Sequence, residues 1–208
     1  MKAGITATAL LLAVLTGSTA AAQTGAPANA ASAPAPAAQA PALVPDGFAV
    51  PVLAQGPGFA LVPLGPPLVK IDYDAYMASI AHLQQTFTRS TSWPHAGLTH
   101  ADAMADMEGE QARFMARKSF AYGVLTSDGR RERGSVYVSP SPVPGYDAMV
   151  RLWVTKAEYD AGFDAALYDW VQGWIAREWP FARVAYPGRA IAWDEWDAKV
   201  AAAKAVKK

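Results

Sequence analysis

Three histidines and Asp102 are the candidate metal ligands of this sequence. His95 precedes a predicted helix, and His100 and Asp102 lie in its first turn. Two histidines that bind one metal from a helix normally lie four residues apart on one face, and this pair does not. His82 stands alone on an earlier predicted helix. We therefore predict no metal site, and loop or surface positions for these side chains.

Trp153 and Arg151 are candidates for contact with an organic ligand. They share one face of a predicted strand, opposite its aliphatic residues, so a planar group could stack on the indole. Arg189 follows a Pro-Gly turn and could bind an anion, although exposed loop arginines are common. Three other tryptophans lie on or just after an apolar helix stripe and are predicted to pack in the core: Trp170, Trp174 and Trp179.

The periodicity of apolar residues predicts the elements that position these side chains. Short apolar segments at 48–53 and 59–64 are predicted as edge strands. A helix is predicted from Asp72 and is broken at Trp93-Pro94. A second helix is predicted to begin at Thr99, with Asp102 completing a capping box.

The second half of the domain changes from alternation to a helical period and back. Alternation predicts three consecutive strands at 120–125, 134–138 and 147–155. A three-four period predicts a helix over 163–175 with Asp164 as its N-cap, and a strand at 182–186 follows. A last helix is predicted from Trp193.

The order of predicted elements is β-α-α-β-β-β-α-β-α. Three consecutive hairpin-connected strands followed by a β-α-β crossover imply an α/β (mixed α+β) fold with a mixed central sheet and helices on both faces.

The N-terminal sequence divides the chain into three predicted segments. Residues 1–22 have the pattern of a signal peptide, with Lys2, an apolar run at 9–15 and three alanines before Gln23. Residues 23–45 are Ala/Pro-rich and predicted to be a disordered tether, and residues 46–208 form the folded domain. We expect export to the periplasm or secretion, with no stable membrane anchor after cleavage.

Composition removes several functional classes. The sequence contains no cysteine, which excludes a thiol nucleophile and cysteine-based zinc sites. Lysine plus arginine and aspartate plus glutamate are equal in number at 18 each, so net charge favours neither nucleic acid nor an anionic membrane as partner.

The order of elements and several short segments resemble the GNAT superfamily of acetyl-CoA-dependent N-acetyltransferases, in particular a bacterial GNAT-like group. The resemblance covers roughly residues 59–196 and rests on the order of its pieces. The matching pieces are Trp93-Pro94, Phe120-Ala121-Tyr122, 134–138, Tyr146-Asp147-Ala148, Leu152-Trp153-Val154, Trp179-Pro180-Phe181 and 186–189.

The resemblance implies a donor site and two catalytic groups. Acetyl-CoA would lie along Trp153, Val154 and Thr155, where this strand parts from its neighbour, with its phosphates near Gly162. A carboxylate would take the proton of the amine and a tyrosine would protonate the leaving thiolate. Glu108 and Tyr186 are the residues assigned, with a solvated helix face and a packing aromatic as the alternatives.

The segment 157–164 departs from the family's glycine-rich pyrophosphate loop, because it has Gly162 but no second glycine in register. Glu158, Asp160 and Asp164 also place carboxylates where phosphates would lie. Two functions therefore stay open. One is an acyl-CoA-dependent N-acetyltransferase with a degenerate loop, acting on a small amine or peptide. The other is a non-catalytic exported module that binds a small ligand or protein partner in the same cleft, favoured because acetyl-CoA is not expected outside the cytoplasm.

Overall fold

The structure is a computed structural model that describes residues 42–206. The predicted signal peptide and the tether up to residue 41 lie outside the described residues. Six strands are present in this part of the chain: β1 (Ala54–Gly56), β2 (Phe59–Pro63), β3 (Phe120–Thr126), β4 (Glu132–Ser139), β5 (Ala148–Val154) and β6 (Val184–Ala185). The helices are α1 (Val69–Met77), α2 (Ile80–Leu83), α3 (His100–Met115), α4 (Lys156–Asp160), α5 (Phe163–Glu178) and α6 (Trp193–Val206).

The six strands form one mixed sheet in the order β1-β2-β3-β4-β5-β6. Neighbours are antiparallel from β1 to β5, and β5 and β6 are parallel and joined through α4 and α5. The predicted fold class, the order of strands and the mixed sheet are confirmed. Alternate side chains of β3, β4 and β5 point to opposite faces, so Tyr122, Val136 and Leu152, which are register partners, share the face that packs against α5.

The two faces of the sheet are covered by different helices, as predicted. One face packs against α5, whose Leu167, Val171 and Trp174 are fully buried against Tyr122 and Val136. The other face packs against α1, α2 and α3, and α6 covers its β6 edge. The predicted core positions of the helix tryptophans are confirmed for Trp174 and Trp179, while Trp170 is half-buried beside them.

Four local predictions change in the structure. The first edge strand lies at Ala54–Gly56 rather than 48–53, where Pro51 lacks a ladder donor. The helix predicted from Asp72 begins at Val69, and its continuation ends at Arg89, whose φ of 53° is left-handed, before Trp93-Pro94 is reached. The predicted strand at 182–186 pairs only at Val184–Ala185.

The N-terminus of α5 is the fourth correction. Gly162, with φ 79°, is the N-cap, and Asp164 lies in the first turn without capping it. The left-handed geometry favours glycine at this position. In contrast, the capping box of α3 is confirmed, because Thr99 and Asp102 exchange the two predicted hydrogen bonds.

Candidate functional site

Strands β5 and β6 pair over only two residues and then diverge. Ala148 pairs with Val184 and Met149 with Ala185. Beyond Met149, the described part of the chain provides β5 with no strand partner on that side. A wedge-shaped opening, here called the β5–β6 gap, therefore lies beside the C-terminal half of β5.

The sequence around β6 explains why pairing stops. The carboxylate of Asp147 accepts hydrogen bonds from the N–H groups of Ala182 and Arg183, at 2.8 and 2.7 Å, and fixes β6 against the start of β5. Pro187 then lacks the N–H that a continuing ladder requires. Gly188 follows with φ 74° and turns the chain away from β5.

The β5–β6 gap opens into a cavity of about 260 Å³. Its walls come from β5, the N-terminus of α5, the turn after β6 and the segment that follows α2. The lining residues used below are Phe87, Arg151, Tyr159, Asp164, Arg189 and Trp193.

A second cavity of about 420 Å³ lies between the sheet and helices α1 and α3. We call it the acidic cavity. The polar groups that define it are Asp72, Tyr76, Asp106, Glu110 and Tyr137. Phe87 and Trp93 add aromatic surface to its wall. Apolar walls with a few convergent polar groups are typical of small-molecule sites.

Asp72, which lines the acidic cavity, belongs to a buried pair of carboxyl groups whose other member, Glu132, is not part of the cavity wall. Asp72 of α1 is 6% exposed and Glu132 of β4 is 1% exposed, and their carboxyl groups lie next to each other. Ser135 Oγ donates to Glu132 Oε1 at 2.7 Å. Glu132 Oε2 has no hydrogen-bond partner in the described structure, and a proton held between the two carboxyl groups would supply one.

Burial and neighbouring negative charges raise the pKa of both carboxyl groups, so the pair retains one proton near neutral pH. Burial, reinforced by the charges of Asp106 and Glu110, raises the pKa of Asp72 to about 7, although the hydrogen bond to Glu132 opposes the shift. Burial and the neighbouring Asp72 raise the pKa of Glu132 well above its ordinary value. Two buried carboxyl groups in contact cannot both ionise readily, so the pair carries about one charge.

The hydroxyl of Tyr76 faces the same cavity without a partner. Tyr76 is 2% exposed, and its hydroxyl makes no hydrogen bond in the described structure. Burial, followed by the nearby carboxylate of Asp72, raises its pKa, so the hydroxyl stays neutral. An unsatisfied buried hydroxyl costs about 1–3 kcal/mol. A polar ligand in the cavity would recover this energy.

The carboxyl groups at one end of the acidic cavity and Arg151 at the other end differ in the partners that they have. Within residues 42–206, no lysine or arginine forms an ion pair with Asp72, Asp106 or Glu132, whereas Glu110 pairs at 2.8 Å with Arg113, which also lines the cavity. Burial raises the pKa of Asp106, despite the charge of Arg113. At the other end, Arg151 lies 4.2 Å from the ring centroid of Phe87 and donates to its carbonyl oxygen at 2.5 Å.

The two cavities share a wall made by Phe87 and Arg151. Both residues line the acidic cavity and also the cavity of the β5–β6 gap. The Nε of Arg151 is buried and has no partner in the described structure. The two cavities are therefore neighbours on either side of this pair of side chains.

The N-terminal end of α5 carries many charges, and each is paired. The Asp164 carboxylate makes a bidentate pair with Arg189, which lies beyond β6, so the pair spans the mouth of the β5–β6 gap. Lys156 binds Asp160 at 2.6 Å. Glu158 accepts from two arginines, Arg133 at 2.5 Å and Arg131 at 2.7 Å. The guanidinium of Arg133 also lies 3.4 Å from the ring centroid of Phe163.

Glu108 and Tyr186, the catalytic groups assigned from sequence, lie on opposite faces of the sheet. Glu108 is exposed on α3 and is not among the residues that line either cavity. Tyr186 packs against Tyr168 of α5, and burial raises its pKa to about 12. The structure does not bring these two side chains together.

The residues that the sequence assigned to the acyl donor lie near the β5–β6 gap, but their side chains are buried or capping a helix. Trp153 is 2% exposed beneath α1 and α2, and its Nε1 donates to the Tyr137 hydroxyl at 3.3 Å. Val154 is buried against α5, and Thr155 caps α4. Gly162 begins α5. Of this set, only backbone atoms of the strand edge and the helix end are available to a ligand.

Sequence reasoning missed the residues of the acidic cavity. Asp106 and Glu110 are four residues apart and flank buried Met107, a spacing that places both beside the apolar stripe of α3. That signal was available. The pairing of Asp72 with Glu132 was not, because it joins residues 60 positions apart and depends on how α1 lies on β4.

Metal and membrane sites have no support in the described residues. Within residues 42–206, no three histidine, cysteine or acidic side chains converge as metal ligands. None of the helices in that range has the length and apolar character needed to cross a bilayer.

Comparison with known proteins shows the fold. The chain is similar to the ribosomal-protein-S5-alanine acetyltransferase of Vibrio fischeri, with a TM-score of 0.55 and 15% identity over 74% of this chain and 81% of that one. A candidate GNAT-family acetyltransferase of Bordetella pertussis gives a TM-score of 0.47 and 17% identity, covering 64% of this chain and 77% of the other. No protein-family model and no curated protein matches the sequence. The domain therefore has a GNAT-like fold.

The family resemblance of the sequence predicted acetyl-CoA as acyl donor, and the surface beside β5 fits only part of that molecule. The β5–β6 gap presents an unpaired strand edge to an amide-containing arm such as pantetheine. At the helix end where a diphosphate would gain most from the dipole, Asp164 already supplies a carboxylate, and the nearby cations are paired. The diphosphate does not fit this surface.

Proposed function

We propose that the domain transfers an acyl group to a primary amine bound in the acidic cavity. One observation carries the proposal: the acidic cavity and the cavity of the β5–β6 gap adjoin, with Phe87 and Arg151 lining both. Two substrates that must react need adjoining sites, and holding them in contact supplies much of the rate enhancement.

The acid end of the cavity suits an ammonium group. The charge of the Asp72–Glu132 pair and that of Asp106 attract a cation, and the Tyr76 hydroxyl offers it a hydrogen-bond acceptor. The aromatic rings of Phe87 and Trp93 would contact the carbon skeleton next to the amine. The substrate class is therefore a small amine or the amino terminus of a peptide.

The same pair supports proton removal. An amine attacks an acyl group only as the free base, so its ammonium form must lose a proton first. Asp72, with a pKa of about 7, is matched to accept this proton near neutral pH. Glu132, itself held by Ser135, lies beside the acceptor and fixes its position.

Calorimetry with phenethylamine tests the binding step, with 2-phenylethanol as the uncharged ligand of the same shape. We expect the amine to bind more tightly than the alcohol, and Asp72→Asn to remove about tenfold or more of that difference, about 1.4 kcal/mol. Equal affinity for the two ligands would contradict an acid-lined amine site.

Two glutamates of α3 provide a matched pair of variants. Glu110→Gln changes a residue that lines the cavity, while Glu108→Gln changes an exposed neighbour on the same helix. Mass spectrometry of N-acetylphenethylamine formed from S-acetylpantetheine measures the transfer. We expect Glu110→Gln to slow transfer and Glu108→Gln to leave it unchanged. The reverse pattern would support the assignment of the base to Glu108 made from sequence.

A non-catalytic binding module is the second candidate. The observation in its favour is the paired charge at the N-terminus of α5, which opposes the nucleotide end of the usual donor. This candidate predicts amine binding without any acyl transfer, from either a thioester or acetyl-CoA. Export to the periplasm or secretion, proposed from residues 1–22, is compatible with both candidates, and fractionation of cells expressing the full chain tests it.

A further inference from the structure

We propose that the β5–β6 gap takes an acyl thioester whose arm ends before a diphosphate, because Asp164 occupies the anion position at the mouth of the gap. This inference rests on the proposed acyl transfer and specifies its donor. It concerns the cavity lined by Arg151, Tyr159, Asp164 and Arg189.

An ion pair between Asp164 and Arg189 closes the mouth of the gap at the N-terminus of α5. Asp164 stands in the first turn of α5, where backbone N–H groups and the helix dipole favour a negative charge. Arg189 comes from the turn beyond β6 and forms a bidentate pair with it. The two sides of the gap are thus joined by an ion pair made of the chain's own groups, and both partners are largely buried, with side chains 15% and 25% exposed.

The charges around the mouth of the gap disfavour a bound diphosphate. A diphosphate would have to displace Asp164 from Arg189 and then lie beside the displaced carboxylate. The nearby cations are already engaged: Lys156 pairs with Asp160, and Arg151, which lines the same cavity, donates to the Phe87 carbonyl oxygen. Burial lowers the pKa of the adjacent His82, which is therefore neutral at neutral pH.

The small volume of the cavity also limits which donor it can take. At about 260 Å³ it is smaller than the roughly 300–1,000 Å³ of sites that enclose drug-sized ligands. A cavity of this size can take the acyl end and the adjoining amide of a slender arm, and that amide can bond to the unpaired edge of β5. In the transfer itself the amine nitrogen forms a bond to the acyl carbon and the carbon–sulfur bond breaks. The proton lost by the amine balances the one gained by the departing thiol.

Two donors that differ only in the nucleotide test the inference in the wild-type protein. Calorimetry measures the affinities of S-acetylpantetheine and acetyl-CoA at low ionic strength. We expect S-acetylpantetheine to bind at least as tightly as acetyl-CoA. Binding of acetyl-CoA tenfold or more tightly would overturn the inference, and so would failure of both thioesters to bind.

Two variants distinguish the effect of the Asp164 carboxylate itself from the effect of the total negative charge near the mouth. Asp164→Asn keeps the side-chain shape and removes the charge, and Asp160→Asn removes an exposed charge nearby. We expect Asp164→Asn to raise the affinity for acetyl-CoA about tenfold and to leave that for S-acetylpantetheine unchanged. Asp160→Asn frees only the solvent-exposed Lys156, so we expect it to raise the affinity for acetyl-CoA less than Asp164→Asn does and to leave that for S-acetylpantetheine unchanged. An equal gain from both variants, or no gain from Asp164→Asn in a protein whose thermal unfolding is unchanged, would contradict the inference.

Failure of the donor inference and failure of the proposed acyl transfer give different experimental outcomes. If S-acetylpantetheine binds but no amine is acetylated, acyl transfer fails while the selectivity of the gap stands. If phenethylamine is acetylated from acetyl-CoA with a lower KM than from S-acetylpantetheine, the proposed function stands and the inference about the donor fails.

Discussion

Two clusters of carboxyl groups lie on either side of the junction at Phe87 and Arg151, and they differ in how their charge is balanced. In the acidic cavity, Asp72 and Glu132 face each other and no basic partner. At the N-terminus of α5, Glu158 and Asp164 each bind arginine. The sequence shows acidic residues in both places, and only the structure separates them.

The difference indicates which cluster needs a ligand. A buried charge without a partner costs free energy, which a bound cation or proton can recover. A buried charge with an arginine partner is already satisfied and forms part of the scaffold. The comparison therefore places binding in the acidic cavity and structure at the mouth of the β5–β6 gap. The same change, carboxyl to amide, should then have opposite effects on stability at the two sites.

The largest effect is expected at Glu158. Its side chain is 8% exposed and accepts from Arg133 and Arg131, so Glu158→Gln leaves a largely buried guanidinium of Arg133 without its counter-charge. We expect the free energy of unfolding in urea to fall by about 3 kcal/mol. A loss below about 1 kcal/mol would show that Arg133 and α4 are held together by packing and not by this ion pair.

The pH dependence of this contribution has a defined sign. Burial opposes ionisation of Glu158, but the hydrogen bonds from the two arginines outweigh it and lower its pKa below the ordinary 4.5. The stabilisation is therefore present above that value and is lost as the pH falls through the lowered pKa. Acid unfolding of Glu158→Gln should accordingly show a weaker pH dependence than that of the wild type.

Asp72 should give the opposite sign and a smaller effect. Its pKa rises on folding from 3.8 to about 7, so the folded state binds more protons than the unfolded state between these values. Stability therefore falls as the pH rises through this window, and Asp72→Asn removes the penalty. Because the group is coupled to Glu132, we expect a gain of about 1–3 kcal/mol at alkaline pH and little change in acid. Urea unfolding across the pH range measures it, and destabilisation at alkaline pH would contradict the unpartnered state of the pair.

Sequence periodicity predicted the elements far better than the site. Alternation in β3, β4 and β5 and the three-four period of α5 each follow from one local pattern, and the crossover to β6 follows from their order. The gap was predicted from family resemblance, and its physical cause lies in Asp147, Pro187 and Gly188. The acidic cavity was not predicted, because contacts such as Asp72 with Glu132 join distant segments and are set by packing.

The roles of individual residues were harder still to predict. Trp153 has the right alternation for a ligand face, but α1 and α2 cover that face, which no pattern within β5 reveals. Asp164 has a residue type typical of an N-cap, yet Gly162 takes that position because the chain enters α5 with a left-handed residue. The bidentate pair with Arg189 then follows from the return of the chain after β6, a long-range feature.

The smallest effect is expected at Asp160, and it sharpens the comparison most directly. Asp160 pairs with Lys156 one helical turn away, with both side chains more than half exposed. Exposed pairs of this spacing contribute about 0.3–0.5 kcal/mol, so Asp160→Asn should change the free energy of unfolding by no more than that. If it destabilised the domain as much as Glu158→Gln, the relevant property of this region would be its total charge at the α5 N-terminus rather than the burial of particular pairs. The distinction between the two carboxyl clusters would then need a different physical basis.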